Sequence, residues 1–397
     1  MSIVVLSITS MLLMQLSGFS LYFLFSKTLV GELQVANNYA NFLLLIALLG
    51  SDQSLSKRII HKDLSDYSAG IFVYAMLFTI ISLLSLYYFH LSFQNDVLTV
   101  FLAESLILIL VLKVFEVYTR VEGKLRIYYI KIIQYTVYTL ILYIFLGVVQ
   151  YLGYKATLFH FIVVKLILLL YMLLTVNATL NLKKYFNFHY TKNIASILKK
   201  DVWFIILMAA ININLFIDKL MVAHYISFDE FAEYSLIVSI VLLLFMPKIV
   251  LSNNYLRIIK HEKIFSRVVR LQSLYSTLFL SVVVFCGYYI IVNYFISYGF
   301  HYLLFLVGAV CALIDAFFGP NGMILQYNYS PKYVLKVELI GLLTLLILVS
   351  ISLFLEDLDY FSFFFILGMF IKAYVSSLRF LIYKQQYRKK YEKDYTF

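Results

Sequence analysis

Charge is scarce in this sequence. Only 13% of its 397 residues are Asp, Glu, Lys or Arg, whereas 63% are hydrophobic, and three prolines and fourteen glycines leave few breaks between the apolar runs. A soluble core cannot hide so much apolar surface, and repeated apolar runs of about 20 residues are typical of membrane helices. The composition therefore excludes a soluble globular domain and predicts an all-α integral membrane protein.

Cysteine and catalytic motifs are also scarce. The two cysteines, Cys286 and Cys311, lie inside apolar runs, so they indicate neither a disulfide framework nor a zinc site. The sequence has no Walker loop, no HExxH, no Rossmann glycine pattern and no Gly-x-Ser-x-Gly, and its seven histidines are scattered. We therefore predict a protein that is not an enzyme, with no catalytic residues, no metal site and no cofactor. Its driving force must then come from an ion gradient, the membrane potential or the substrate gradient.

The apolar runs predict about twelve membrane-spanning helices. Their expected bounds are 3–25, 35–54, 70–91, 97–118, 127–149, 158–180, 203–223, 231–251, 271–296, 301–325, 333–355 and 360–383. The first run lacks a basic n-region and a small-residue cleavage site, so we expect a retained span. A basic connection at 181–202 divides the chain into two six-helix lobes, 1–190 and 191–397, and even halves are common in transporters.

Basic residues are divided unevenly between the two sets of loops. One set holds 27 of the 32 Lys and Arg, whereas the opposite set holds only Lys27 and Lys155. The positive-inside rule therefore predicts that both termini and all the basic loops are cytoplasmic. The net charge of +11 is thus a topology signal, and its division among short loops argues against nucleic acid as a partner.

The seventh span carries charge where an apolar helix is expected. Asn214 and Asp218 are four residues apart and so share a helix face, and Lys219 follows directly. A charge inside a spanning helix costs roughly 3 kcal/mol even on the mildest scale. Either this helix lines a polar cavity, or Asp218 snorkels to the outer surface.

A polar stripe marks the twelfth span. Four residues at spacings of four, four and three share one helix face: Gly368, Lys372, Ser376 and Arg379. Lys372 is about 18 Å along the span, close to mid-membrane. We predict that an anionic substrate meets Arg379 first and Lys372 deeper. The alternative is that Lys372 is a structural partner of Glu338 or Asp315.

Further charged residues lie within other spans. Lys165, about 10 Å into the sixth span, and Lys219 are candidates to receive the anion on the outward side, although Lys165 could also reach the outer surface. Glu104 in the fourth span could carry a proton, bind sodium or pair with Lys165. Together with Asp218 and Asp315, Glu104 is a candidate for ion coupling, because buried carboxylates can titrate near neutral pH.

Pro320 predicts a break in the tenth span. It has no backbone donor and frees the carbonyl of Ala316, so the helix should bend or break between Gly319 and Gly322. Irregular backbone at membrane depth is tolerated only beside protein or a water-filled cavity, which Asp315, one turn earlier, could face. The alternative is that the helix ends here, near the cytoplasmic surface.

Three stretches resemble a known family. The run IDKLMVAHYISFDEFAEYSLIVSI (217–240) is similar to the seventh-to-eighth helix signature of the polysaccharide-exporter branch of the MOP superfamily, the Wzx-type O-antigen flippases. FFGPNGMILQYNYSPK (317–332) resembles that family's tenth-helix pattern, and LLGSDQSLSKRII (48–60) the end of its second helix. The resemblance implies a flippase that moves an undecaprenyl-pyrophosphate-linked oligosaccharide across the bacterial cytoplasmic (inner) membrane by alternating access.

The resemblance also implies partners and rivals. The expected partners are the lipid-linked oligosaccharide, membrane lipids, a polysaccharide polymerase and a chain-length regulator. A multidrug or cation antiporter of the same superfamily is an alternative, but it would be expected to use acidic residues in the first helix, which has none. A membrane O-antigen polymerase or ligase is another, but it would be expected to carry a long external loop rich in Arg and His, and the outside loops are short.

Overall fold

A computed structural model describes residues 3–48, 67–180, 194–255, 258–352 and 358–391. Within these ranges the secondary structure is helical and no strand occurs, which confirms the all-α prediction. The helices are α1 (Ile3–Leu24), α2 (Lys27–Leu48), α3 (Tyr67–Phe93), α4 (Asp96–Val121), α5 (Leu125–Tyr151), α6 (Leu158–Thr179), α7 (Ile194–Tyr225), α8 (Phe228–Asn254), α9 (Glu262–Tyr294), α10 (Tyr302–Phe318), α11 (Asn321–Ile324, followed by a π-helical turn, Leu325–Tyr329), α12 (Pro331–Ser352) and α13 (Tyr360–Tyr391).

Many of these helices can cross a membrane. Among the described residues, eight are long and apolar enough, and α10 with α11 and its π-helical turn forms a ninth, broken span bent by 41°. Large apolar side chains on these helices are exposed, for example Leu174 on α6 and Phe279 on α9, as a lipid-facing surface requires. Helices α2 and α7 carry amide and charged residues along their length. The count of twelve spans remains a prediction, and so do the cytoplasmic termini.

The chain forms two compact units. The N-terminal unit comprises Met1–Ala209 and Ser227–Ala232, and the C-terminal unit comprises Ala210–Ile226 and Glu233–Phe397. In the N-terminal unit α1 packs on α5, and α4 packs on both α2 and α6. In the C-terminal unit α13 packs on α10, α11 and α12, and α9 packs on α10. The predicted lobe boundary, between 190 and 191, lies outside the described residues, and the division into two six-helix lobes remains a prediction.

Helix α2 begins at Lys27, well before the predicted start of the second span at 35. The reason is that the polar residues near its middle are satisfied inside the helix. The Asn38 and Asn41 amides donate to the carbonyls of Gln34 and Asn37, four residues earlier, at 2.8 and 2.9 Å. Because these amides do not need water, the helix continues through them, whereas the sequence analysis placed the start of the span among them.

The residues at the break explain why this span is interrupted. Helix α10 ends at Phe318, and Gly319 adopts a φ of +79°, which favours glycine. The Gly319 N–H donates to the Asp315 carbonyl at 3.2 Å, and the Asn321 side chain caps the Phe318 carbonyl. Pro320 separates the two helical pieces, so the chain changes direction between Phe318 and Asn321.

Candidate functional site

A buried carboxylate lies at the centre of the candidate site in the C-terminal unit. Helix α7 places Asn214 and Asp218 one turn apart, and their exposed fractions are only 5% and 2%. The Tyr234 hydroxyl on α8 donates to Asp218 Oδ2 at 3.3 Å. Asp218 Oδ1 is buried and has no hydrogen-bond partner among the described residues. Protein therefore encloses the Asp218 carboxylate, and it does not snorkel to a surface.

The polar stripe on α13 packs against this carboxylate. Gly368 lies beside Asp218 so closely that an added Cβ would be 3.0 Å from the Asp218 Cγ. One turn further along, the Lys372 ammonium is buried and has no hydrogen-bond partner in the part of the chain that the structure describes. Lys219 on α7 is close enough to interact electrostatically with both Asp218 and Lys372. A lysine side chain with an unsatisfied ammonium thus shares this region with a half-satisfied carboxylate.

A second carboxylate, Glu338 on α12, is fully engaged. Asn214 donates to its side-chain Oε2 and to its backbone carbonyl, both at 3.0 Å. Arg379 on α13 donates from Nε to Oε1 at 3.1 Å and from Nη2 to the same oxygen. Glu338 is only 2% exposed, so this ion pair is largely buried. Arg379, which the sequence suggested as the first cation that a substrate meets, is therefore already neutralised in this conformation.

A third carboxylate, Asp315 on α10, is also paired. Lys248 on α8 donates to Asp315 Oδ1 at 2.5 Å and to Ser376 Oγ at 3.3 Å. Asp315 lies one turn before the helix break, as predicted, but it faces a lysine. Because Glu338 binds Arg379 and Asp315 binds Lys248, neither carboxylate is a hydrogen-bonded partner of Lys372. Lys372 thus hydrogen-bonds to neither carboxylate among the described residues, and its role as a pathway residue or a structural partner stays a prediction.

The helix break makes room for the Arg379 side chain. Gly322 lies directly beside it, and a Cβ there would come within 3.1 Å of Arg379 Cδ and 3.3 Å of Nη1. Asn321 is 1% exposed, and its Oδ1 has no hydrogen-bond partner among the described residues. Gly322 thus lies against the charged face of α13, whereas Gly319 lies beside Arg270 on α9. Gly319, Pro320 and Asn321 are all buried, so protein surrounds the irregular backbone.

Basic side chains outnumber acidic ones among the residues of this site named above. They are Lys219, Lys248, Lys372 and Arg379 against Asp218, Asp315 and Glu338. Two of the carboxylates form close ion pairs, with Arg379 and Lys248. A buried charge is costly unless it is paired and hydrogen-bonded, so the Lys372 ammonium, which has no hydrogen-bond partner among the described residues, is unfavourable until an anion arrives. The arrangement is suited to binding one negatively charged group near Lys372.

The N-terminal unit contains a separate buried lysine. Lys165 on α6 is 7% exposed, so its ammonium points into the protein and does not reach an outer surface. It donates to Asn37 Oδ1 on α2 at 2.9 Å and to Ser105 Oγ on α4, and it lies 3.5 Å from the centre of the Phe101 ring. Glu104 interacts with it electrostatically, but Glu104 Oε2 is buried without a hydrogen-bond partner among the described residues. The structure brings Glu104 and Lys165 together without a direct ion pair.

Sequence reasoning missed several of the partners in these sites. The sequence analysis named Glu338 only as a possible structural partner of Lys372 and did not single out Lys248. One signal could have found them. Two basic residues on a single face of α13 require carboxylates on the helices that pack against it, and Glu338 is one of the few acidic residues in the preceding spans.

Known proteins share this fold. No protein-family model and no curated protein sequence matches the chain. Among solved structures, it is similar to the lipid II flippase MurJ in an inward closed conformation, with a TM-score of 0.64 and 15% identity over 96% of this chain and 86% of that chain. It is also similar to the eukaryotic MATE transporter AtDTX14, with a TM-score of 0.64 and 10% identity over 98% and 96% of the two chains.

A third structure has the same architecture. It is an inward-facing multidrug resistance MATE family transporter of the MOP superfamily, with a TM-score of 0.61 and 13% identity over 97% of this chain and 95% of that chain. The chain has the fold of these membrane transporters. The neighbours are transporters and a flippase, not enzymes, and together with the apolar helices they indicate a multi-pass membrane protein. At such low identity the likeness concerns the fold and not the substrate.

Proposed function

We propose that this protein is a flippase that moves an undecaprenyl-pyrophosphate-linked oligosaccharide across the bacterial cytoplasmic membrane by alternating access. The observation that carries the proposal is the buried Lys372 ammonium, which has no hydrogen-bond partner among the described residues. Lys219 interacts with it electrostatically, so two lysines share one region of the C-terminal unit. Like charges repel each other in a low-dielectric interior, and a bound anion relieves that repulsion.

A pyrophosphate headgroup fits this electrostatic requirement. It carries negative charge that cannot cross the hydrocarbon core without compensation, because desolvation of an unpaired ion is prohibitive. Lys372 and Lys219 offer compact ammonium donors, which suit a phosphate as point charges. Arg379 joins the pathway only when Glu338 releases it, and Lys165 remains the candidate cation of the N-terminal unit.

Two independent likenesses support a lipid-linked substrate. The seventh-to-eighth and tenth helix stretches resemble the polysaccharide-exporter branch, and the structural neighbour MurJ is named as a flippase of lipid II. In this proposal the physiological partners are a polysaccharide polymerase and a chain-length regulator. Asp218 and Glu104 are the favoured ion-coupling residues, because each retains an unbonded carboxylate oxygen among the described residues. Asp315 is a weaker candidate because Lys248 occupies its Oδ1.

A multidrug antiporter is the second candidate, because two of the structural neighbours are MATE transporters. The charge of the C-terminal site argues against it. A lysine ammonium without a carboxylate in hydrogen-bond contact repels a cationic drug, whereas it attracts an anionic headgroup. Drug efflux from cells that express the chain separates the two functions, and efflux that increases in Lys372→Ala would favour the antiporter.

Loss of the protein in its native host tests the flippase directly. We expect lipid-linked repeat units to accumulate on the cytoplasmic leaflet while their synthesis continues, and surface polysaccharide to disappear. Leaflet location is measured by the accessibility of the glycan to an added membrane-impermeant glycosidase or lectin. Single repeat units displayed outside without long chains would instead identify a polymerase, and normal surface polysaccharide would contradict the proposal.

A further inference from the structure

The Lys165 ammonium in the N-terminal unit has all three of its N–H groups engaged by neutral partners. Two face oxygens, Asn37 Oδ1 and Ser105 Oγ, and the third direction lies over the Phe101 ring. Glu104, next to Ser105 on α4, interacts with the ammonium electrostatically but is not hydrogen-bonded to it. A buried ammonium with a carboxyl group nearby is normally expected to form the direct ion pair, because attraction is strong where water is excluded.

We propose that Glu104 is a proton-binding site whose charge decides which partner Lys165 holds. With a proton on Glu104, the neutral carboxyl group exerts little attraction, and Lys165 stays on Asn37 and Ser105, as observed. When the proton leaves the carboxyl oxygen for water, the carboxylate attracts the ammonium, which moves from Asn37 to Glu104. The hydrogen bond between α6 and α2 is then lost, and a new ion pair joins α6 to α4. The carboxyl O–H is the only covalent bond broken in the protein, and its proton passes to water.

The geometry favours a proton over a metal ion. Hard cations bind oxygen ligands, and the neutral oxygens of this cluster, Asn37 Oδ1 and Ser105 Oγ, already accept from the ammonium. A second cation beside Lys165 is repelled at short range. Among the described residues, no group of three or more His, Cys, Asp or Glu side chains could hold a metal ion. Glu104 itself is half-buried, and its Oε2 is buried.

Other titratable groups on the described helices around this pair have partners of their own or lie further along their helices. Helix α6 contributes Lys165 and, in its first turn, His160, whose Nδ1 contacts Thr157. The basic residues of α5, Arg126 and Lys131, lie in its first two turns. At the C-terminal end of α3, His90 faces Asp96, the first residue of α4, at 3.4 Å. On α2, Glu32 lies more than one turn before Asn37. Further along α4, the Glu116 carboxylate is held by Lys113 at 2.9 Å and by Arg120 at 2.7 Å, as the i, i+3, i+4 spacing favours.

The experiment follows the carboxyl group and the helix contact in the full-length protein in lipid vesicles. Infrared difference spectra recorded over a pH series should show one buried carboxyl C=O band that disappears as pH rises. The band should be absent in Glu104→Gln and shifted in Glu104→Asp. Asp96→Asn is the matched control, because Asp96 lies on the same helix and its side chain is 89% exposed; the band should survive there.

Spin labels on α2 and α6 measure whether the contact between these two helices changes when Glu104 loses its proton. The distance between them should change with pH in the wild type and stay at its low-pH value in Glu104→Gln, which imitates the protonated group. An unchanged band in Glu104→Gln, or a distance that changes equally in both proteins, would overturn the proposal. So would a shift caused by sodium at constant pH and lost in Glu104→Gln. Because no substrate is present, the result is independent of whether the protein is a lipid-linked oligosaccharide flippase.

Discussion

Arg379 and Glu338 form a buried ion pair that joins α13 to α12, with Nε donating to Oε1 at 3.1 Å. Asn214 on α7 donates to the other carboxylate oxygen at 3.0 Å, so a single carboxylate links three helices of the C-terminal unit. The pair stays formed in the absence of another anion, because an unpaired buried charge is unfavourable. It is therefore suited to hold one conformation of the unit until a competing anion draws Arg379 away.

Removal of one partner of this pair should destabilise the protein more than removal of both. Arg379→Met leaves the Glu338 carboxylate buried with one amide donor group, and we expect a loss of about 3–5 kcal/mol in the free energy of unfolding. The double variant Arg379→Met with Glu338→Gln removes both charges and should recover part of that loss. Thermal unfolding of the purified variants in detergent measures the loss in the single variant and its recovery in the double variant. Equal destabilisation of the single and double variants would contradict the account of the pair.

Gly368 should not tolerate a methyl group. A Cβ there would collide with the Asp218 carboxylate, so Gly368→Ala should displace Asp218 from Tyr234 and cost about 1–3 kcal/mol of stability, as overpacking does. Gly287→Ala on α9 is the matched control, because nothing lies within 4 Å of its added Cβ. Melting temperature and surface polysaccharide are measured for both variants. If the two glycine variants behave alike, the close contact between Gly368 and Asp218 is not required.

The two native cysteines can report the electrostatic potential near Lys372. Cys311 is buried and interacts electrostatically with Lys372, whereas Cys286 is exposed. In Cys286→Ser, the remaining thiol should react faster with an anionic thiosulfonate than with a cationic one of similar size, and Lys372→Met should remove that preference. In Cys311→Ser the remaining thiol is Cys286, and its relative rates with the two reagents should not change when Lys372 is replaced. A preference that persists in Lys372→Met would mean that another cation sets the potential.

Reporter fusions test the topology that the basic loops predict. Fusions after five residues should report the outside: Asn95, Tyr154, Phe228, Ser297 and Asp357. Fusions in the basic loops should report the cytoplasm, because 27 of the 32 Lys and Arg lie there. A fusion after Phe265 that reads as external would contradict the predicted orientation.

Periodicity predicted the polar faces of this protein but not their partners. The shared face of Asn214 and Asp218 follows from the helical repeat, and both residues are buried. The stripe on α13 likewise faces polar or charged groups. Gly368 lies beside Asp218, Ser376 accepts from Lys248 and Arg379 binds Glu338. Lys372 interacts electrostatically with Lys219. Which carboxylate meets which base depends on how separate helices pack, and spacing within a single helix contains no such information. Arg379 was therefore predicted as an unpaired cation, although it binds Glu338.

Local chemistry explains the other successes and errors. The break at Pro320 was predictable because proline removes a backbone donor and glycine permits the φ of +79° at Gly319. The start of α2 was not, because the amides of Asn38 and Asn41 bond to their own helix instead of ending it. The sequence does not show whether a polar side chain bonds to water or to the backbone carbonyl four residues earlier in its own helix.

Export by Lys372 variants tests the central claim most directly. Surface polysaccharide is measured in cells that express wild type, Lys372→Ala or Lys372→Arg at equal membrane abundance. The account predicts that Lys372→Ala abolishes export, because the pyrophosphate then lacks its buried counter-charge, and that Lys372→Arg retains part of it, because the positive charge remains. Full export by Lys372→Ala would contradict the account and remove Lys372 from the substrate pathway.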